Sequence, residues 1–509
     1  MSVLLKMDFQ PESFAEFELA AQRGNVVPVV RTVPAESRTP TSALSRITAD
    51  AAYSFLLESV EGNQQFAQYS FLGAEPEMVV RGRGDMTIVQ RGSEQQTLNV
   101  TVPNFLRDYF RARKLARRPG LPPFAGGMVG YLAYSAAHWF EPSLSHVENP
   151  AADDALLMFY RTVLAFDRIN HQILITCLVF TEEAAGSSAR LRTLYDDAVA
   201  ETARIEGLLN DATTQASSLL DLKDSNDTET AFTSNWSRDG FQDAVLSVKE
   251  FIAAGDCYQA VLSQRFTKRV AAAPASIYEA LRVINPSPYM YFLRMGDRKV
   301  IGASPEMLVR CRGPRLDYRP IAGTRRRGAN KAEDWLLASE MRRDEKEVAE
   351  HMMLVDLGRN DLGRVADYGS VQLDDLMNVE SYSHVLHLVS SLRGRLRKGL
   401  DRFDALASCF PAGTVTGAPK LRAMQIISEL EPSPRGIYAG TVLHADYGDN
   451  LDSCISIRTV VLEGNTASVQ AGAGIVAESV PEREYEETIN KAKGLMRAIE
   501  IAEKEFRRQ

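Results

Sequence analysis

Residues 155–180, ALLMFYRTVLAFDRINHQILITCLVF, are apolar and β-branched almost without interruption. Such a run, broken by the polar stretch Asp167–Asn170, reads as two long β-strands joined by a turn. YSFLLESVEG (53–62) and QYSFLGAEPEMVVRGRG (68–84) follow the same pattern, with aromatic and β-branched residues cut by Gly and Pro. Residues 27–200 therefore read mainly as strands and turns, ending in a helix over 186–210. At 509 residues the chain exceeds what one ordinary core holds, so it needs several domains or one unusually large layered fold.

Composition changes over 208–235, a stretch rich in Ser, Thr, Asn and Asp that has little to fill a core. This segment is the expected linker between an N-terminal region (1–207) and a second unit (236–509). The second unit opens with a helix over Arg238–Ala254, whose Phe241, Val245, Val248 and Ile252 recur at helical spacing. Further on, helices alternate with Gly-rich strands. Trp335–Leu357 reads as one long charged helix with an apolar stripe. GNTASVQAGAGIVAESV (464–480) reads as a strand pair leading through Pro481 into a helix over Glu482–Glu500, with Pro and acids at its start as helices prefer. These patterns support a large mixed α/β protein.

Several function classes are excluded. A net charge of −8 gives no basic surplus for nucleic acid. No window approaches the roughly 20 apolar residues of a membrane helix, and MSVLLKMDFQPESF is unlike a secretory signal. The five cysteines are scattered and form no CxxC pair, so neither a disulfide framework nor a zinc site is expected. A cytoplasmic location follows.

Four features carry candidate chemistry. Glu347 and Glu350 lie three apart, as do Glu484 and Glu487, so each pair shares a helix face. Two such faces together would offer oxygen ligands to a hard cation; pairing with Lys346, Lys491 or Lys493 is the alternative. Gly472–Ala473–Gly474 and the Gly413–Pro419 stretch place small residues where backbone N–H groups could meet an anion, or simply make turns. Arg458, inside the apolar run CISIRTVV, needs a partner, either a bound carboxylate or an internal acid. His387, one of seven histidines, is either a satisfied core residue or a proton carrier near neutral pH.

These pieces occur in an order that resembles the chorismate-utilising enzymes, and within them the large subunits of anthranilate synthase. The resemblance spans essentially the whole chain. It is densest in GDCYQAVLSQRF (255–266), NPSPYMYF (285–292), IGASPEMLV (301–309), RPIAGTRRRG (319–328), AEHMMLVDLGRNDLGRV (349–365), SHVLHLVSSLRG (383–394), FPAGTVTGAPK (410–420), IYAGTV (437–442) and QAGAGIVAESVPEREYEETINKAKGL (470–495). It implies an α/β (α+β) fold, a large sandwich of antiparallel sheets with outer helices. It implies a reaction in which ammonia adds to C2 of chorismate, the C4 hydroxyl leaves, and pyruvate is eliminated to give anthranilate.

Site roles follow from the resemblance. Glu350 and Glu487 would be the principal Mg2+ ligands, joined by Glu347, with Glu484 in the same acidic cluster and counted with the catalytic residues. Glu306 would protonate the departing hydroxyl, His387 would assist pyruvate loss, and Thr414 would help place the substrate. Gly323, Thr324, Tyr438, Arg458, Gly472, Ala473 and Gly474 would contact it. Glu58 and Ser59 in LLESV, with Pro288, Tyr289 and Met290, resemble the tryptophan-binding segments of feedback-inhibited members, although a strand and turn would also produce that sequence.

Two positions separate family branches. Gln259 stands where isochorismate-forming members carry a lysine base, and Ala322 where aminodeoxychorismate synthases often carry a nucleophilic lysine. Both favour direct ammonia attack; aminodeoxychorismate synthase component I remains the nearest alternative, and a catalytically silent tryptophan-sensing subunit a more distant one. No cysteine here has a glutaminase setting, so a separate glutamine amidotransferase subunit is implied, in a heterotetramer of two synthase and two amidotransferase chains.

Overall fold

A computed structural model of the chain describes residues 9–36, 38–48, 51–60, 68–144, 152–211, 232–381 and 385–508. Among these residues the strands form two large sheets, of thirteen and twelve strands, whose ladders run antiparallel. The centre of the first sheet runs through Thr162–Asp167, Tyr69–Ala74, Tyr53–Glu58, Tyr289–Met295, Arg298–Ser304, Thr459–Glu463, Thr466–Ile475 and Gln259–Arg269. The centre of the second runs through Val385–Arg395, Arg315–Tyr318, Met307–Arg312, Asn450–Ile455, Thr441–Asp446, Gly127–Leu132, Ala155–Tyr160 and Met78–Arg83.

The N- and C-terminal regions are thus joined strand to strand in both sheets. Tyr53–Glu58 pairs with Tyr289–Met295, and Gly127–Leu132 with Thr441–Asp446. Of the stretch expected as a linker, residues 212–231 lie outside the described residues. Its flanks are the end of helix Ser188–Asn210 and the short strand Thr233–Ser234.

The sheets stack face to face, and helices cover both outer faces, as the family resemblance implied. Alternation along single strands shows the layering. Leu156, Met158 and Tyr160 point into the inter-sheet core with Phe55, Phe71 and Val442. Leu157 and Phe159, between them, face an outer core with Phe110 and Phe403 from covering helices. On the opposite outer face Leu56, Phe292 and Ile301 pack against Ile277, Leu281, Leu495 and Ile499 of helices Pro274–Ile284 and Pro481–Arg508. Burial on both faces explains why these strands read as continuous apolar runs rather than alternating ones.

Three local readings change. Residues 464–480 hold one strand, Thr466–Ile475, paired with the preceding Thr459–Glu463, rather than a strand pair. Residues 155–180 form three strands, because the chain leaves the second sheet after Tyr160 and enters the first at Thr162. Arg161 sits at that switch, ion-paired to Glu77 and Glu183. The helix expected over 335–357 is two, Lys331–Met341 and Glu345–Gly363. Asp344 divides them: its carboxylate accepts from Glu347 N (3.1 Å) and starts the second helix. Among the described residues no helix is long and apolar enough to cross a membrane.

Gly302 shows how tightly the inter-sheet layer is filled. A Cβ there would collide with the Tyr291 ring, whose hydroxyl hydrogen-bonds Thr459 Oγ1 at 2.6 Å. Gly302→Ala is expected to cost about 1–3 kcal/mol of stability, seen as a lower urea midpoint. An unchanged midpoint would mean that the ring does not hold its place.

Candidate active site and an inter-sheet pocket

Two links between the sheets lie side by side. Pro305–Glu306 carries the chain from Arg298–Ser304 in the first sheet to Met307–Arg312 in the second. Residues 456–458 carry it back, from Asn450–Ile455 to Thr459–Glu463. Ile455 N donates to Glu306 O (3.0 Å), Ala303 N to Arg458 O (3.0 Å), and Ser304 Oγ to Ile455 O (2.7 Å). Glu306 and Arg458 are therefore fixed at one corner of the sandwich. Arg458 lies in the link, with a left-handed φ of 51°, rather than on a strand. Among the described residues no acid pairs with it. Burial pulls its pKa down and only Tyr438 opposes this. An internal acid is thus not found for it among the described residues, and a guanidinium fork has the geometry to meet a carboxylate.

Glu306 is the most perturbed acid of the corner. Burial pushes its carboxyl up to about 8, while the Thr414 hydroxyl and the Lys491 ammonium pull it partly back. The Thr414 oxygen, on the short turn Gly413–Val415, makes no hydrogen bond of ordinary geometry. A carboxyl so placed is protonated at neutral pH and is a proton donor.

From here contacts and charges connect several of the remaining candidates. Lys491 Nζ donates to Gly472 O (3.1 Å) and pairs with Glu487 (2.7 Å). Gly472 lies against Tyr438, whose hydroxyl would be 2.7 Å from an added Cβ. Tyr438 and His387 both feel the Arg458 charge. His387 Nδ1 donates to Gly323 O at 3.0 Å, which assigns the proton to Nδ1 and the lone pair to Nε2. Burial, first, and then Arg458 hold its pKa below the usual range, so the ring is a neutral base rather than a buried cation. Gly323, at a bulge with φ 59°, approaches Glu347 Oε2.

The Gly472–Gly474 run is a strand, not a loop. It pairs with Val261–Ser263 on one side, while the ladder with Thr459–Glu463 stops at Val469, so its other edge is open beyond that point. Gly474 makes room for the Gln259 amide. Ala473 turns its methyl into a helix-side core with Phe241 and Ile426, leaving its backbone to serve the site. The Thr324 side chain is not among those described.

The acids divide between the two expectations. Glu487 pairs with Lys491 and Glu347 with Arg325 (3.2 Å), so the salt-bridge alternative holds for one oxygen of each. The second oxygen of Glu347 is buried with no hydrogen-bond partner among the described residues. Among the described residues no three His, Cys, Asp or Glu side chains converge on a metal-sized point. The unpartnered Glu347 oxygen, with Glu350 three residues on along the same helix, offers oxygen donors of the kind Mg2+ takes together with water and substrate oxygens. The sequence reading missed Lys491 as a site residue, though its position four residues after Glu487 was visible. It also missed the buried Lys420–Asp361 pair (3.1 Å), which ties the start of helix Lys420–Leu430 to the helix bearing Glu347 and Glu350.

All five residues of the two candidate effector segments line a second pocket, between the sheets. The Glu58 carboxylate is held on the outer face by Tyr278 (2.6 Å), Arg282 (3.3 Å) and Arg168 (3.5 Å). Ser59 Oγ is buried and has no hydrogen-bond partner among the described residues. Tyr289 Oη, Arg310 and Asp452 bridge the sheets in a closed triangle at 2.6–3.1 Å.

The sequence model for chorismate binding enzymes matches residues 52–497. The chain belongs to the chorismate-binding enzyme family. It is 43% identical to an anthranilate synthase component 1 from Acetivibrio thermocellus, an alignment covering 96% of this chain and 98% of that one. The crystal structure of anthranilate synthase component I from Streptococcus pneumoniae superposes with a TM-score of 0.71 at 36% identity, covering 86% of this chain and 93% of that one. The isochorismate synthase MenF of Escherichia coli, 21% identical, covers 95% of this chain and 97% of its own with a TM-score of 0.67, a likeness of fold.

Because Glu306 binds its proton more tightly folded than unfolded, the folded chain holds more protons between the ordinary carboxyl range and about 8. Stability must then fall as pH rises through that window and level off above it. Glu306→Gln, which keeps the neutral shape, is expected to gain urea resistance over wild type between pH 5 and 8. An identical pH dependence in both proteins would refute the raised carboxyl.

Proposed function

We propose that this protein is the synthase subunit of an anthranilate synthase, forming anthranilate and pyruvate from chorismate and ammonia. The single observation that carries the reading is Glu306, buried at the sheet-crossing corner with its carboxyl pushed up to about 8, on the link next to that of Arg458, which no acid meets among the described residues. Arg458 binds the enolpyruvyl carboxylate. Glu306 passes its proton to the C4 hydroxyl so that water leaves, as ammonia attacks C2. His387 Nε2, neutral and aimed by the Gly323 carbonyl, takes up a proton as pyruvate departs. Gln259 and Ala322 supply no amine, so neither water activation nor covalent attack by a lysine competes. Glu350, Glu487 and Glu347 would hold Mg2+, which when bound tethers the ring carboxylate and withdraws charge. Ammonia comes from a separate glutamine amidotransferase, two copies joining two synthase chains, in the cytoplasm.

We further read the inter-sheet pocket as a tryptophan feedback site. Pro305 and Met307 both line it, and Glu306 lies between them, so a pocket occupant presses on the link that carries the general acid. Inhibition then needs two states with different tryptophan affinity.

Incubation with chorismate, Mg2+ and ammonium salt should give blue-fluorescent anthranilate plus pyruvate; an aminated product that keeps its pyruvyl group would instead identify an aminodeoxychorismate synthase. Glu306→Gln should lower kcat roughly 10²–10⁴-fold, and wild-type rate should fall as pH rises through about 8; full activity in the variant removes the acid assignment. Ser59→Phe should leave anthranilate formation insensitive to added tryptophan, and undiminished inhibition would sink the effector site.

A further inference from the structure

Arg435 lies between the motifs FPAGTVTGAPK and IYAGTV and belongs to neither. Its side chain is buried and uses three nitrogens for four hydrogen bonds. Nε and Nη2 grip the two Glu431 carboxylate oxygens (2.9 and 2.7 Å). Nη1 donates to Val415 O (2.7 Å), and Nη2 donates also to Val261 O (2.6 Å). The rings of Tyr134 and Tyr438 flank the guanidinium, their centroids 4.8 and 5.6 Å from Cζ.

Both carbonyls belong to elements of the candidate active site. Val415 follows Thr414 on the Gly413–Val415 turn, and Val261 pairs with Gly474. The turn's own backbone bonds are long, Val415 N to Ala412 O at 3.3 Å and Thr416 N to Gly413 O at 3.2 Å. The 2.7 Å bond from Arg435 is the shortest of these tethers. Val261 N donates in return to Thr416 O (2.8 Å), and Glu431 accepts from Ser263 N and Oγ (both 2.8 Å). Turn and strand are thus clasped around one guanidinium. An ion pair this deep adds little net stability, because desolvation offsets the attraction. What it supplies is geometry, a planar fork whose donors reach two carbonyls and a carboxylate at once, which a lysine cannot do.

Resting on the reading of Glu306 as the acid, we infer that Arg435 is a positioning residue: it fixes the Gly413–Val415 turn so that the Thr414 hydroxyl stays at the Glu306 carboxyl. Without the tether the turn is free to withdraw that hydroxyl. Burial raises the Glu306 carboxyl, and the Thr414 hydroxyl and then the Lys491 ammonium oppose it. Tyr318, which feels the Glu306 charge, is itself held neutral by burial. Loss of the hydroxyl leaves burial less opposed, so the carboxyl becomes a weaker acid and titrates at higher pH.

The test is a double-mutant cycle between Arg435→Lys and Thr414→Val, read as kcat for anthranilate formation with chorismate, Mg2+ and ammonium salt from neutral to alkaline pH. Wild type should lose rate as pH rises through about 8. Each single variant should lower kcat roughly 10–100-fold and move that alkaline limb to higher pH. The double variant should be no worse than the poorer single. A limb left at its wild-type position in Arg435→Lys, whatever the rate, makes the residue a support of the fold alone and overturns the inference. So do effects that simply multiply in the double variant. Should Arg435→Lys not fold, as judged by urea unfolding, the uncharged pair Arg435→Met with Glu431→Leu takes its place in the same cycle. Full activity in Glu306→Gln brings down the acid reading and this inference with it, an outcome distinct from a limb that Arg435→Lys fails to move.

Discussion

The chain crosses between its two sheets twice at one corner, and three hydrogen bonds lock the two links together. This mutual bracing lets an arginine occupy a left-handed conformation and a carboxyl stay protonated in the interior. Neither would persist on a free loop. The strained backbone and the desolvated acid are sustained by ladders on both sides, Arg298–Gly302 with Thr459–Glu463 and Met307–Arg312 with Asn450–Cys454. Chemistry is concentrated where the architecture is most constrained.

Charge is distributed around this corner with economy. A single ammonium, Lys491, reaches a backbone carbonyl of the open strand edge, the Glu487 carboxylate and the field of Glu306. A single arginine biases both Tyr438 and His387. Such sharing couples the groups, so their titrations belong to the cluster rather than to any one residue.

Much of this was legible in the sequence, and the failures have physical causes. Strand character over 155–180 was plain, but the switch at Arg161 was not, because a buried run looks the same in one sheet or two. The break at Asp344 was hidden because both flanking helices carry similar charge patterns, and a single capping aspartate is a weak signal inside them. The glutamate pairs showed their helix faces but not their partners. Spacing alone cannot tell Arg325 or Lys491 from a cation. Glu306 is the sharpest case: Gly-Ala-Ser-Pro-Glu-Met contains an ordinary carboxylate by composition, and its acid character arises only from its burial in the folded chain.

The pairing of Tyr53–Glu58 with Tyr289–Met295 has a consequence for how the molecule comes into being. During synthesis the N-terminal strands emerge first, yet one side of their sheet has no neighbour until more than two hundred further residues have left the ribosome. An unpaired, apolar strand edge is open to other chains throughout that interval. The sheets can close only late, by contacts of very long sequence separation, so folding is slow relative to a modular protein of equal size. For a chain built this way, solubility in the cell is governed by how that nascent edge is shielded.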